Sequence, residues 1–136
     1  MDTRQKGQLA VLKFEQEALL RGYVLSRPTM DARYDLILDD GKKLHRVQIK
    51  YGDGLSSHSS GCVTVELRRY NGNAGKNPRV YFDSEIDAVA VYIPKIERIC
   101  WIPPEKFHGK TGLTIRLDPT KNGQAQNLIE AKDYFW

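Results

Sequence analysis

The sequence contains only two cysteines, no long apolar run and no apolar leader near its start. Cys62 and Cys100 lie far apart and belong to no CxxC pair, which argues against a disulfide framework or a zinc site and predicts two buried thiols. No stretch approaches the roughly 18 apolar residues of a membrane span, and the N-terminal segment lacks the apolar core of a signal peptide. These absences predict a cytoplasmic protein without a membrane segment.

Acidic residues are missing from two basic stretches. The segment between Glu66 and Asp83 contains arginine and lysine but neither aspartate nor glutamate, and the segment between Asp40 and Asp53 has the same character. The net charge of the whole chain is only +4, an excess that many proteins share. The two local patches therefore matter more than the total, and they favour attraction to a polyanion such as a nucleic acid.

The rest of the composition is that of a folded chain. Apolar residues make up 40% of the sequence, charged residues 28% and aromatic residues 10%, which argues against disorder. A chain of 136 residues has the length of one domain that can bury a core of its own. We therefore expect a single domain over residues 1–136.

Hydrophobic spacing predicts a helix near the start of the chain. Residues 6–21 contain no proline, have glycine only at Gly7, and are followed by Gly22, a suitable helix stop. A short strand, YVLSRP, is expected after this helix. Four leucines at helical spacing are predicted to form the buried face of the helix: Leu9, Leu12, Leu19 and Leu20.

A β-hairpin is the clearest strand signal in the sequence. The runs YDLILDD and KLHRVQIK flank the turn Asp40-Gly41 and alternate with period two. A helical turn is expected at PPEKF, and an amphipathic C-terminal helix over QNLIEAKDYFW. Further β-rich runs predict a mixed sheet, namely CVTVELRRY, RVYF, AVAVYIP, RICWIPP and LTIRL.

Three polar residues of the hairpin have the chemistry of a phosphodiester-cleaving site. Such cleavage near neutral pH requires a divalent metal, held by oxygen ligands, that activates water, and a nearby lysine can stabilise developing negative charge. Asp35 begins one strand of the hairpin, while Gln48 and Lys50 share one face of the other strand because side chains alternate. The sequence therefore predicts a catalytic site of Asp35, Gln48 and Lys50.

The same residues carry a family resemblance. YDLIL followed by VQIK, after a KGxLA helix and a GYVLSRP strand, resembles the PD-(D/E)XK nuclease superfamily over residues 6–50. Within it, the chain is similar to group I intron homing endonucleases of the cyanobacterial type and, more distantly, to archaeal Holliday junction resolvases. The resemblance implies a restriction-endonuclease-like α/β fold, a mixed β-sheet flanked by helices. It also implies site-specific hydrolysis of double-stranded DNA with Mg²⁺, or Mn²⁺ as a substitute, bound by Asp35 and Gln48.

Two positions depart from the family pattern. Gln48 stands where most members carry an acid, so it supplies a metal ligand without charge. Related chains place a glutamate on the first helix where this chain has Val11. Glu15 and Gln8 lie about 40° and 60° from Val11 around a helix with about 100° per residue. Either Glu15 or Gln8 replaces the missing acceptor, or this form, natural or engineered, is weakened or inactive.

Two polar segments are candidate DNA-contacting loops, near residues 51–61 and 68–79. Both combine residue types that contact phosphates and base edges, although the second segment also fits an ordinary hairpin turn. The predicted DNA-binding residues are Ser57, His58, Ser59, Arg68, Arg69, Tyr70, Asn71, Asn73, Lys76, Asn77 and Arg79.

The end of the chain predicts self-association. Tyr134, Phe135 and Trp136 are three successive aromatic residues, which cannot all face one core, so part of this surface is expected to meet another subunit. A homodimer or homotetramer would match the two-fold symmetry of a palindromic DNA target. Two other functions stay open, a Holliday junction resolvase and a non-catalytic DNA-binding protein of the same fold.

Overall fold

A helix, a five-stranded sheet and a four-stranded sheet form three layers in the computed structural model, which describes residues 1–55, 61–67, 80–118 and 128–136. The larger sheet has the order β1-β2-β3-β6-β7 and the smaller sheet the order β4-β5-β8-β9. The elements are α1 (Thr3–Leu20), β1 (Val24–Ser26), β2 (Leu36–Asp39), β3 (Leu44–Tyr51), β4 (Gly54–Leu55), β5 (Cys62–Glu66), β6 (Ala88–Ile93), β7 (Arg98–Ile102), α2 (Pro104–Phe107), β8 (Gly112–Arg116) and β9 (Ile129–Glu130).

Helix α1 confirms the helix predicted from the sequence, with capped ends. The Asp2 side chain accepts a hydrogen bond from the Gln5 backbone N–H at 2.8 Å, and the Gln5 side chain accepts one from the Asp2 N–H at 2.9 Å. This capping box satisfies amide groups that a helix start leaves unpaired. At the other end the chain leaves the helix at Gly22, whose φ of +76° few other residues adopt readily.

The predicted buried face of α1 is wrong. The side chains that face the sheet are Ala10, Phe14 and Ala18, whereas Leu19 and Leu20 are 77% and 76% exposed. Leu12 is also largely exposed, and Leu9 only packs at the border of the core. The two alanines allow the helix to approach the sheet closely, and Phe14 fills the space between them, so small residues determine the contact face.

The predicted hairpin is confirmed. Strands β2 and β3 pair antiparallel, with Leu36 opposite Val47, and Gly41 occupies the turn with a φ of +86°. The Asp40 carboxylate stabilises this turn by accepting hydrogen bonds from the backbone N–H groups of Lys42 and Lys43. These contacts fix the register that brings the ends of the two strands together.

The Asp40 carboxylate makes the stability of the folded hairpin depend on pH. Its hydrogen bond to His45, and then those from Lys43 and Lys42, lower the pKa of Asp40 from 3.8 to about 2. Because the pKa is lower in the folded state, this contribution to stability is present above pH 3.8 and is lost as the pH falls through about 2. Urea unfolding should show Asp40→Asn to be less stable than wild type at pH 6, and the difference should shrink as the pH falls from about 4 to below about 2. A pH-independent difference, or an equal effect of the exposed control Asp133→Asn, would contradict this assignment.

Strand β3 lies at the centre of the larger sheet because it also pairs in parallel with β6. The start of that pairing is fixed by Arg46 and Asp87, whose side chains form an ion pair and whose backbone and side-chain groups exchange hydrogen bonds. The hydrogen bond to Arg46 lowers the pKa of Asp87 below its usual value. The larger sheet is therefore mixed, as the sequence predicted.

The two faces of the larger sheet are covered differently. Helix α1 packs on one face, against Val47 and Ile49 of β3 and Tyr92 of β6. The other face of β6, with Val89 and Val91, packs against strands of the smaller sheet. The observed layers agree with the predicted restriction-endonuclease-like α/β fold, and a second sheet covers the face opposite α1.

The two cysteines are buried thiols, as predicted. Burial in an apolar layer raises the pKa of the Cys100 thiol to about 11, because the charged thiolate is poorly solvated there. Cys100 belongs to the hydrophobic core between the two sheets, where it acts as a small apolar side chain. The Cys100 thiol therefore stays protonated and unreactive near neutral pH.

Two predicted elements are wrong. The segment 126–136 does not form an amphipathic helix in its described part, since Ile129–Glu130 is a short strand and Ala131–Asp133 a single 3₁₀ turn. The expected strand RVYF is also absent from residues 80–82. At the C-terminus, pairing of β9 with β8 overrides the helical pattern, whereas the carbonyl groups of Val80 and Tyr81 accept hydrogen bonds from the Arg33 side chain and the Gly109 N–H instead of from a strand.

The terminal aromatic residues pack within the chain. The Trp136 ring stacks on Phe14 with 4.5 Å between ring centroids, and Tyr134 packs against the core between the two sheets. Phe135 is 39% exposed and lies beneath the Arg98 guanidinium. This arrangement explains how three successive aromatics are accommodated, because each one meets a different part of the same subunit.

Candidate active site

Asp35 lies immediately before β2 and is bound to β3 through both its backbone and its side chain. Its backbone N–H donates to the Val47 carbonyl at 2.9 Å. Its Oδ2 atom accepts a hydrogen bond from the Ile49 backbone N–H at 2.7 Å. The carboxylate is thereby held beside β3, at the amide that lies between Gln48 and Lys50 in sequence.

Gln48 and Lys50 reach the same place from β3. Val47 and Ile49 are buried beneath α1, so strand alternation directs Gln48 and Lys50 to the opposite face. Asp35, Gln48 and Lys50 all line one open pocket of about 430 Å³. The structure therefore brings the three predicted catalytic residues together, and the hairpin register is what does so.

Several residues of this pocket were not identified from the sequence. The largest of them is Tyr81, which is 1% exposed and approaches from beyond the second candidate DNA loop. Asp31 adds a second carboxylate to the pocket wall. The spacing DARYD, with acids four residues apart, was a usable sequence signal for Asp31, whereas nothing local marks Tyr81. The remaining wall residues are Pro28, Met30, Ala32 and Tyr34.

The three helix positions considered for a further acceptor do not line this pocket. Val11 packs against the core on the α1 side of the sheet. Glu15 forms an ion pair with Arg27, and Gln8 is exposed to solvent. Lys6 of the helix reaches the end of β3, where its Nζ lies 5.9 Å from the centroid of the Tyr51 ring and 2.5 Å from Asp53 Oδ2.

The donor atoms of the pocket suit a hard divalent cation with a sparse protein ligand set. Asp35 and Gln48 offer a carboxylate and an amide oxygen, the ligand types that Mg²⁺ accepts, and Mg²⁺ commonly retains waters and substrate phosphate oxygens as well. In the described part of the chain, no group of three or more His, Cys, Asp or Glu side chains could hold a metal ion. The carboxylate of Asp35 and the amide oxygen of Gln48 are donor types that fit a divalent metal which also binds water and substrate phosphate oxygens.

All eleven predicted DNA-binding residues lie outside the described residues. They fall within 56–60 and 68–79. Of the described residues that flank these segments, Tyr81 lines the pocket, two positions after the second segment ends.

A mixed sheet whose central hairpin brings together an aspartate, an acceptor and a lysine defines a restriction-endonuclease-like nuclease fold. The family model for PD-(D/E)XK endonucleases matches residues 1–135, and the chain belongs to that family. It is also similar to the solved structure of a bacterial homing endonuclease, I-Ssp6803I, with a TM-score of 0.76 and 25% identity over 99% of this chain and 89% of that chain. No curated protein matches it. None of the described helices is long and apolar enough to cross a membrane.

Proposed function

We propose that this endonuclease is a site-specific, Mg²⁺-dependent enzyme that cleaves double-stranded DNA, in the manner of an intron-encoded homing endonuclease. The observation that carries the proposal is the convergence of Asp35, Gln48 and Lys50 in one pocket. Membership of an endonuclease family and similarity to a homing endonuclease over nearly the whole chain add support.

The roles of the three residues follow from their chemistry. Asp35 and Gln48 would hold the metal, which when bound lowers the pKa of a water molecule and neutralises phosphate charge. The hydrogen bond from the Ile49 N–H keeps the Asp35 carboxylate oriented. Lys50 places a positive charge where the phosphate becomes more negative during attack. The buried residues Val47 and Ile49 fix the strand that carries these groups, so the site is preorganised by the core.

The function is tested by cleavage of a random linear DNA library and, in parallel, of a synthetic four-way junction, each with Mg²⁺, Mn²⁺ or EDTA. We expect double-strand cuts at one recurring sequence with either metal and none in EDTA. A preference for four-way junctions over linear DNA would instead identify a junction resolvase. Salt-sensitive binding without cleavage under any metal condition would identify a non-catalytic DNA-binding protein. Each outcome selects one of the three functions.

A substitution at Val11 tests whether the missing family glutamate limits the rate of Mg²⁺-dependent cleavage. Val11 packs on the α1 side of the sheet and does not line the pocket. If a carboxylate at this family position nevertheless reaches the metal from that side, Val11→Glu should raise the Mg²⁺-dependent cleavage rate by about tenfold, the change produced by roughly 1.4 kcal/mol in the barrier. Val11→Gln is the matched control, because it adds the same length without charge, and it should give a smaller rise. Equal or lower cleavage in Val11→Glu would remove position 11 from the proposed site.

We also propose that the enzyme self-associates as a dimer or tetramer. Because the terminal aromatics mostly pack inside the chain, the better support is the exposed apolar surface of α1 at Leu12, Leu19 and Leu20. Sedimentation equilibrium should give a multiple of the 15.6 kDa chain mass. A monomer at all concentrations, with and without DNA, would contradict the proposal.

A further inference from the structure

Tyr81 joins the candidate site to a second group of charged residues. The Lys50 Nζ atom lies over the Tyr81 ring at 5.6 Å from its centroid, and the Arg33 guanidinium lies over the same ring at 4.4 Å. Both distances are within the range in which a cation is attracted by the electron density of an aromatic face. One buried ring therefore contacts both a proposed catalytic cation and a neighbouring structural cation.

Contacts of Arg33 hold the Tyr81 ring in place. Arg33 donates from Nε to Glu85 at 2.6 Å and from Nη2 to the Val80 carbonyl at 2.7 Å. The Arg33 Nη1 atom is buried and has no hydrogen-bond partner among the described residues, so the attraction of the ring offsets part of the cost of burying it. Arg33 thereby ties the chain on both sides of Tyr81 to the segment that leads into Asp35.

We propose that Tyr81 is a positioning residue that holds the Lys50 ammonium in the pocket through the face of its aromatic ring. This inference rests on the proposed nuclease function, because the role of Lys50 in cleavage belongs to that proposal. A lysine side chain has four flexible carbons, so its charge is useful only if it is kept at one place. A ring that is 1% exposed and clamped by Arg33 provides such a fixed surface.

The kinetic test distinguishes an effect of the Tyr81 aromatic ring on kcat from an effect of the Tyr81 hydroxyl group and from a general loss of protein stability. Tyr81→Leu removes the ring and should lower kcat about 10- to 100-fold with KM within about twofold, since misplacement of a catalytic group by about 1 Å can cost a factor of this size. Tyr81→Phe retains the ring and should keep kcat near the wild-type value. Tyr92→Leu is a matched control, because Tyr92 is also buried beneath a lysine, Lys13, at 5.8 Å, and it should leave kcat unchanged.

A spectroscopic test does not depend on cleavage. The ring current of Tyr81 should move the NMR signals of the Lys50 ε-methylene group upfield in the wild-type chain. That shift should persist in Tyr81→Phe and disappear in Tyr81→Leu, with Lys50→Arg identifying the resonance. If Tyr81→Leu does not fold, Tyr81→Met replaces it, and the wild-type spectrum alone still decides whether the contact exists.

The results separate the two proposals. An unshifted Lys50 signal in wild type, equal losses of kcat in Tyr81→Phe and Tyr81→Leu, or a change in KM alone would overturn the positioning role. Absence of metal-dependent cleavage in wild type would instead overturn the nuclease function, while the NMR result would still establish whether Tyr81 holds Lys50. Two results together would support both proposals. The Lys50 signals should lie upfield in wild type, and kcat should fall in Tyr81→Leu but stay near the wild-type value in Tyr81→Phe.

Discussion

Lys50→Ala should strongly reduce the rate of DNA cleavage and leave DNA binding largely intact. Lys50 lines the same pocket as Asp35 and Gln48, and the loss of one preorganised group that stabilises transition-state charge lowers kcat by about 10²- to 10³-fold. Binding should change little, because affinity for DNA is a sum over many phosphate contacts of which this removes one. The measurement is single-turnover cleavage with Mg²⁺ beside an electrophoretic binding titration in EDTA.

Lys42→Ala provides the control for this prediction. Lys42 is an exposed lysine at the tip of the same hairpin, so its removal changes the net charge equally without altering the pocket. We expect its cleavage rate to stay within about threefold of wild type, corresponding to roughly 0.6 kcal/mol. Cleavage by Lys50→Ala at the rate of Lys42→Ala would exclude Lys50 from the mechanism.

Asp35→Asn should remove metal-dependent cleavage while preserving the fold. The asparagine side-chain oxygen can still accept the hydrogen bond from the Ile49 N–H that now goes to Asp35 Oδ2, so the end of the hairpin keeps its geometry. The metal loses its charged ligand from the pair Asp35 and Gln48, and we expect kcat to fall by at least about 10²-fold. Thermal unfolding should show that Mg²⁺ stabilises wild type, which binds it in the folded state, more than the variant.

Asp31→Asn is the matched control, since Asp31 is the other carboxylate that lines the pocket. The proposed site assigns the metal to Asp35, so the Asp31 variant should retain most of its cleavage and its Mg²⁺-dependent stabilisation. If Asp31→Asn instead lost cleavage and Mg²⁺-dependent stabilisation while Asp35→Asn kept them, Asp31 rather than Asp35 would be the metal ligand. Retained activity in both would contradict a metal site in this pocket.

The parts of the site that lie close together in sequence could be predicted, and the parts that meet through the fold could not. Asp35, Gln48 and Lys50 belong to one hairpin whose register follows from alternation and from the turn at Gly41. Tyr81 reaches the pocket from a distant segment. Its position depends on the Arg33 contacts and on the pairing of β6 with β3, which no local pattern encodes.

The errors in the predicted fold have a related cause. The leucine spacing in α1 predicted burial of Leu19 and Leu20, but the sheet accepts the helix through Ala10 and Ala18, whose small size allows close packing. The helical pattern near the C-terminus is overridden by pairing of β9 with β8 and by the anchoring of Trp136 on Phe14. In both cases the packing against the rest of the fold, rather than the local sequence pattern, decides which residues are buried and which secondary structure forms.

From the parallel pairing of β3 with β6 we also expect an order of events when the chain folds. The β2–β3 hairpin needs only a short turn to close, whereas β6 joins β3 from far along the sequence, and long loops close at a greater entropic cost. Asp35 can thus meet Gln48 early, while Tyr81, which shortly precedes β6 in the sequence, can contact Lys50 only after β6 has docked. A refolding chain should therefore form its hairpin first and gain an ordered lysine, and with it full cleavage, in a later phase.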